Sequence, residues 1–236
     1  QRNCKISDTC LEVKDWTVYS PLYRDKIVIN HVNFHVRRGE VIGIAGLMGA
    51  GRTELAMSIF GKSYGSNFSG QIIKNGKELH LNNVSDAIKN GIAYATEDRK
   101  VQGLVLIESI MENTTLPSLS KLSSKAGVVN EHKEVKIAEE FLHKLNIKAT
   151  SIYQKTSNLS GGNQQKVMLA KWIYADPDIL ILDEILSVGD VKFQKKSGDK
   201  LKSMMGSGVT VLLVSHSTAK IRELCTRAIW LDKGKV

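Results

Sequence analysis

The stretch from Val41 to Phe60 constrains the fold more than any other part of the chain. Val41-Ile42-Gly43-Ile44-Ala45 is nearly all apolar, the pattern of a strand covered on both faces. Thr53 to Phe60 follows with apolar residues at helical spacing and stops at Gly61. Between them lies Gly46-Leu47-Met48-Gly49-Ala50-Gly51-Arg52-Thr53, the spacing of a phosphate-binding GxxxxGKT loop with arginine in the lysine position. A plain glycine-rich turn would share the glycines, but the flanking strand and helix favour phosphate. In such a loop backbone N–H groups converge on phosphate oxygens, the helix N-terminus adds its positive end, and the Thr53 hydroxyl can ligate Mg²⁺. The planar guanidinium of Arg52 donates in a fixed fork where lysine would bring a compact ammonium, so binding is expected to survive while turnover falls.

The remaining sequence predicts a sheet around that unit. Leu11, Val13, Ile27, Ile29, Val32, Phe34 and Val36 punctuate polar neighbours with the period of half-buried antiparallel strands, a small β layer ahead of the loop. From about Glu97 to Asn158 the chain is polar and helix-rich. Within it Glu131 to Leu145 carries Val135, Ile137, Ala138, Phe141, Leu142 and Leu145 on one stripe, which reads as an inserted helical lobe. Ile179–Leu182 and Val209–Val214 are two further buried parallel strands, with a helix expected over Phe193–Met205 between them. Strands alternating with helices make this an α/β chain.

Composition narrows the class. With 42% hydrophobic and 24% charged residues among 236 and three prolines, fibrous and disordered classes are excluded. A net charge of +9 invites polyanions, nucleotide phosphates included. The basic residues are scattered without interleaved aromatics, so nucleic acid is not an expected partner. Three cysteines without CxxC spacing suggest neither a disulfide framework nor a zinc site and fit a reducing cytosol. No apolar run reaches the length of a bilayer span and no signal-peptide core follows Gln1-Arg2-Asn3-Cys4-Lys5, so direct membrane insertion is not expected and any membrane link must come through a partner.

Leu159-Ser160-Gly161-Gly162-Asn163-Gln164-Gln165-Lys166 opens a helix with Ser160 as candidate N-cap and two glycines exposing N–H groups for an anion. This string resembles the signature of ATP-binding cassette (ABC) ATPases. Asp183-Glu184 follows at the end of the apolar strand Ile179–Leu182. Alone, the pair would read as solvated carboxylates capping a strand; in the family resembled it forms the Walker B site. The resemblance implies that Asp183 holds Mg²⁺ through water and Glu184 polarises the attacking water. It also implies that His216, in Leu213-Val214-Ser215-His216, contacts the γ-phosphate and holds that water. Ser187-Val188-Gly189-Asp190 falls at the D-loop, whose aspartate helps couple two nucleotide sites, and Glu97 stands where a glutamine normally ligates Mg²⁺ and senses the membrane partner. Tyr23 lies near the position of an aromatic that stacks on adenine; Trp16 and Tyr19 are rivals, and packing in the β layer is an equal alternative for each.

Two resemblances meet in the chain. Residues 12 to 184 are similar to the C-terminal cassette of tandem sugar-importer ATPases of the ribose, xylose and galactose type. The loop Gly46–Leu55, the segment Thr96-Glu97-Asp98-Arg99-Lys100 and the Ser160–Lys166 string carry that likeness. In that cassette the site is usually regarded as degenerate. From Ile185 onward, Ser187-Val188-Gly189-Asp190, Val214-Ser215-His216-Ser217 and Arg227-Ala228-Ile229-Trp230-Leu231 resemble polysaccharide and teichoic-acid exporter ATPases, so a chimera joined near Glu184 is the expectation.

The expected architecture is a P-loop NTPase of the ABC type with a mainly parallel core sheet, a small antiparallel β layer and an inserted helical subdomain. Residues 1–95 and 166–236 would form the nucleotide-binding core and 96–165 the helical subdomain. ATP with Mg²⁺ would be clamped in a head-to-tail dimer with a second cassette. The phosphates would lie on Gly46, Leu47, Met48, Gly49, Ala50, Gly51, Arg52 and Thr53, and Ser160, Gly161 and Gly162 would serve the partner's ATP. The helical lobe would grip a permease, placing the protein in the cytoplasm against the inner face of the membrane. A dimerising module with little hydrolysis, or an exporter ATPase, is the alternative.

Overall fold

The alternation near the N-terminus becomes strand pairing in the computed structural model, which describes residues 6–184 and 209–236. Strands β1 (Thr9–Tyr19) and β2 (Ile27–Arg37) run antiparallel, with Val13 opposite Phe34 and Trp16 opposite Val32. After β3 (Val41–Gly46) come β4 (Ser66–Lys74) and β5 (Lys77–Glu78), which complete a four-stranded layer ordered β2-β1-β4-β5.

A second sheet holds the apolar strands. β6 (Ile92–Ala95), β7 (Ile179–Asp183), β8 (Thr210–Val214) and β9 (Arg227–Leu231) join β3 in the order β6-β7-β8-β3-β9. Pairing is parallel from β7 to β8, β8 to β3 and β3 to β9. Every residue of β3, β7 and β8 is buried, as the lack of alternation in their sequences requires. The register sets Asp183 and Ile44 both opposite Val214, so three carboxyl ends lie side by side. Helices α1 (Arg52–Ile59) and α2 (Val84–Lys89) follow β3 and β5 along the chain. At the strands' opposite end, fully buried Glu40 accepts hydrogen bonds from the Arg37 backbone N–H (2.8 Å) and Arg227 Nε (3.1 Å). Burial alone would raise its carboxyl, but these donors outweigh it and hold the group below its ordinary range.

Contacts divide the described residues into two units, 6–94 with 178–184 and 209–236, and 95–177. The second is helical. α3 (Ile110–Thr115) opens with a full capping box between Ser109 and Glu112, α4 (Glu131–Lys144) is capped by the Asn130 side chain, and α5 (Gly161–Ala175) stays with this unit along its whole length. The stripe expected on α4 is only partly apolar: Ala138 and Phe141 are buried, Val135 and Leu142 are half-buried, and the third buried residue is Glu134. A carboxylate is tolerated there because the Thr115 hydroxyl donates to it at 2.6 Å. Asn113, 1% exposed, uses both ends of its amide, accepting from Val105 N–H (2.8 Å) and donating to the Val105 carbonyl (2.8 Å), the Ser109 carbonyl (3.0 Å) and Thr156 Oγ1 (3.0 Å). A cavity of about 350 Å³ opens beside it, walled by Val105, Leu116, Leu119 and the carboxylates of Glu108, Glu112 and Glu134.

In the first unit a last helix, α6 (Thr218–Leu224), precedes β9. The expected helix at Phe193–Met205 and the D-loop residue Asp190 lie outside the described residues. Among those described, no helix is long and apolar enough to cross a membrane.

Candidate functional site

The loop between β3 and α1 is built to leave its peptide groups available. Ala50 N–H closes a turn on the Leu47 carbonyl at 3.1 Å, and Leu47 and Met48 are 66% and 92% exposed, so neither side chain packs the loop shut. Gly51, with φ of 96°, is the N-cap of α1 and supplies no side-chain cap. Gly49 has φ of 76°, and a Cβ there would point into open space. The loop is braced from behind: the Gly234 N–H donates to the Ala50 carbonyl at 2.9 Å, and the Gly234 carbonyl accepts from Asn30 N–H at 2.8 Å. Thr53 is exposed in the first turn of α1.

Acidic groups meet the loop from the neighbouring strands. Asp183, fully buried, closes β7 and accepts from the Tyr94 hydroxyl at 2.7 Å. Glu184 follows with φ of 52°, a left-handed backbone that costs a non-glycine residue about 1 kcal/mol or more. Its carboxylate is held by three donors: Ser215 Oγ at 3.2 Å, His216 backbone N–H at 2.6 Å and His216 Nδ1 at 2.8 Å. A carboxylate only accepts, so this geometry places the imidazole proton on Nδ1. Arg52 reaches the same group, with Nη1 3.6 Å from Glu184 Oε1. That Nη1 is buried and makes no hydrogen bond among the described residues. An under-satisfied guanidinium, an uncapped helix start and open space at Gly49 are the features an anion with several oxygens would fit, and buried Asp183 supplies the hard oxygen donor that Mg²⁺ prefers.

The structure therefore brings together Gly46 to Thr53, Asp183, Glu184 and His216 at the carboxyl ends of three adjacent strands, where open α/β sheets place their ligands. Sequence reasoning missed two supporting residues, Tyr94 and Ser215. Ser215 could have been found from its place between a buried strand and His216; nothing local marked Tyr94, which reads as one more apolar strand residue.

Of the three candidate aromatics, Trp16 is spoken for: it is 3% exposed and its Nε1 donates to Ser58 Oγ at 3.0 Å. Tyr19 is half-buried within β1. Tyr23 is 66% exposed in a turn held by the Ser20 hydroxyl, and with Arg24, Asp25 and Lys26 it lines an open hollow.

In the helical unit, Ser160 occupies the N-cap position of α5, but its hydroxyl bonds no backbone N–H and instead accepts from Asn163 Nδ2 at 3.1 Å. Gly161 lies against Arg99, whose Nη2 would stand 2.7 Å from an added Cβ, while a Cβ at Gly162 would meet nothing. Arg99 Nε donates to Gln164 at 3.2 Å, and buried Lys171 donates to the Gly103 carbonyl at 2.9 Å, so two side-chain bonds tie the segment after Glu97 to α5. Burial pulls the Lys171 amine down from 10.5 to about 8. Glu97 itself is exposed.

A protein-family model described as ABC transporter matches residues 29–187. The chain belongs to the ABC transporter family. Among curated members, the L-arabinose transport ATP-binding protein AraG of Geobacillus stearothermophilus is 48% identical over 235 residues, covering 100% of this chain and 46% of its own. The xylose import ATP-binding protein XylG of Thermoanaerobacter pseudethanolicus is 44% identical over 97% of this chain and 45% of its own. The ribose import ATP-binding protein RbsA of Clostridium perfringens is 39% identical over 100% and 45%. The chain thus spans about half the length of the curated ABC relatives it matches.

These matches correct one expectation. A single sugar-transport ABC protein covers the chain through the segment after Glu184, which removes the ground for a junction there and for an exporter-derived tail. The short strings that suggested an exporter are small beside a 235-residue alignment. The fold is that of ABC cassettes: a dimeric cassette in a post-hydrolysis state bound to ADP and Pi superposes with a TM-score of 0.78 at 22% identity, covering 96% of both chains.

Proposed function

We propose that this chain is an ATP-binding module of a sugar importer, taking ATP with Mg²⁺ in a head-to-tail pair with a second cassette, beneath a permease at the cytoplasmic face of the membrane. The observation that carries the reading is the meeting of the glycine loop, the Asp183-Glu184 strand end and His216 at the carboxyl ends of three adjacent strands. The relatives' printed sugars, arabinose, xylose and ribose, are all pentoses, so a pentose is the cargo proposed.

Backbone N–H groups from Gly46 to Thr53 bind the phosphates and Tyr23 offers its exposed ring to the adenine. Thr53 and Asp183 would hold Mg²⁺; when bound, the ion neutralises charge on the phosphates. Glu184 accepts a proton from the attacking water. His216 orients Glu184 through Nδ1 and the backbone N–H, and positioning of this kind is most of what phosphoryl transfer asks of a protein. Ser160, Gly161 and Gly162 serve the partner's ATP and Asp190 links the two sites. The unit of residues 6–94, 178–184 and 209–236 acts as the nucleotide core, and that of residues 95–177, α5 included, as the lobe that grips the permease, to which the cavity lined by Glu108, Glu112 and Glu134 offers acidic side chains.

One observation favours a second reading, a module that binds nucleotide and pairs but barely hydrolyses: Arg52 stands 3.6 Å from Glu184, competing with water for the base. Single-turnover phosphate release at saturating Mg-ATP, alongside nucleotide binding by calorimetry, separates the two. The expected result is binding with slow release, Arg52→Lys raising the rate about tenfold, equivalent to about 1.4 kcal/mol of barrier, and Glu184→Gln abolishing it. Absence of any affinity for adenine nucleotide in the presence of magnesium would overturn both readings.

A further inference from the structure

We propose that Tyr94 is a positioning residue for the metal-holding carboxylate of Asp183; the proposal rests on the nucleotide-site reading above. Asp183 is fully buried, and a buried carboxylate must be met by donors. The Tyr94 hydroxyl, 2.7 Å from Oδ2, is a neutral donor to a charged acceptor, the short and strong kind of hydrogen bond. It is not a surface tyrosine that happens to reach inward. Tyr94 is 6% exposed, and its ring stacks at a tilt on Phe60, with centroids 5.5 Å apart. Phe60 is the residue on which α1 ends, and α1 begins at Arg52 and Thr53. The ring is thus packed behind the helix that leaves the glycine loop, and the hydroxyl it carries bonds one oxygen of Asp183.

A cation would be held by oxygen lone pairs whose direction is fixed by the plane of this carboxylate. A hydrogen bond to Oδ2 fixes that plane, and a neutral donor does so without the positive charge that would compete with a divalent ion, as a lysine or arginine here would. The role differs from filling space. A phenylalanine fills nearly the same volume, keeps the ring against Phe60 and loses the hydroxyl that bonds Asp183.

The test measures binding, not turnover. A fluorescent ATP analogue is titrated onto wild type, Tyr94→Phe and Phe60→Leu, first in EDTA and then across a magnesium series, with Mn²⁺ retention followed by electron paramagnetic resonance. In Tyr94→Phe the half-saturating metal concentration is expected to rise about tenfold, with affinity in EDTA unchanged within about twofold. Phe60→Leu, which alters the packing and keeps the hydroxyl, leaves the metal dependence near wild type. Unchanged metal dependence in Tyr94→Phe, an equal loss in EDTA, or an equal shift in Phe60→Leu would each overturn the role of Tyr94 while the nucleotide site stands. A wild-type protein whose nucleotide affinity ignores magnesium would overturn the site reading itself and the role of Tyr94 with it.

Discussion

The two units are held together by different chemistry. In the sheet unit β3, β7 and β8 are buried end to end and mostly apolar, and the buried carboxylates among the described residues, Glu40, Asp183 and Glu184, are each met by donors, as Glu40 is by Arg37 and Arg227. In the helical unit the interior is laced with polar groups: Asn113, Thr114, Thr115, Glu134, Thr156 and Lys171 are all buried. Apolar burial is non-directional and scales with area, whereas a buried hydrogen-bond network works only when every member is satisfied. The sheet unit should therefore lose stability in proportion to volume removed, and the helical unit in proportion to bonds broken.

Leu180→Ala tests the first half of that contrast. Leu180 is 1% exposed in the middle of β7, and deleting it should cost about 3 kcal/mol, seen as a lower denaturation midpoint with hydrogen exchange accelerated throughout the sheet unit. The contrast breaks if the loss falls below about 1 kcal/mol. A smaller effect, about 2 kcal/mol, is expected from Asn113→Leu, which is close in shape and strands the Val105 N–H and carbonyl. Exchange should quicken between Val105 and Thr115 and leave β3 and β8 protected; a neutral substitution would show that the helical unit, too, is held by packing.

The smallest effect is a pH dependence. Because burial lowers Lys171 to about 8 from 10.5, below pH 8 the folded unit must bury a charge that the unfolded chain keeps in water. Between those two values the unfolded state binds more protons, so stability rises with pH. Relative to Lys171→Met, the wild-type protein should gain on the order of 1 kcal/mol between about pH 7.5 and 9.5 in paired thermal melts. Parallel curves for the two proteins would remove Lys171 from the account.

Much of the fold was legible because it is local. The strand, loop and helix from Val41 to Ile59, the apolar run closing at Asp183 and the amphipathic Glu131–Lys144 each declare themselves within one short continuous stretch of chain. What escaped depends on partners far along the chain. Glu134 reads as a solvated helix residue until Thr115 is beside it, Trp16 as a stacking candidate until it is found buried with its N–H on Ser58, and the sequence around Arg52 gives no sign that Glu184 lies 3.6 Å from its guanidinium. His216, expected from its position to meet a phosphate and the attacking water, also has a partner that the sequence does not show, the Glu184 carboxylate. Ser160 shows the reverse error: the right residue in the cap position, its hydroxyl drawn off by Asn163.

Gly234 has no side chain, yet its peptide N–H and carbonyl link Ala50 to Asn30. Such a splint cannot be removed by trimming a side chain. Alanine scanning would pass over most of it, and only a substitution that adds bulk at Gly234, where a Cβ would run into the Val28 carbonyl, would reach it. The glycine loop is therefore braced by the tight turn between Asp232 and Lys235, whose own sequence carries almost no trace of the task.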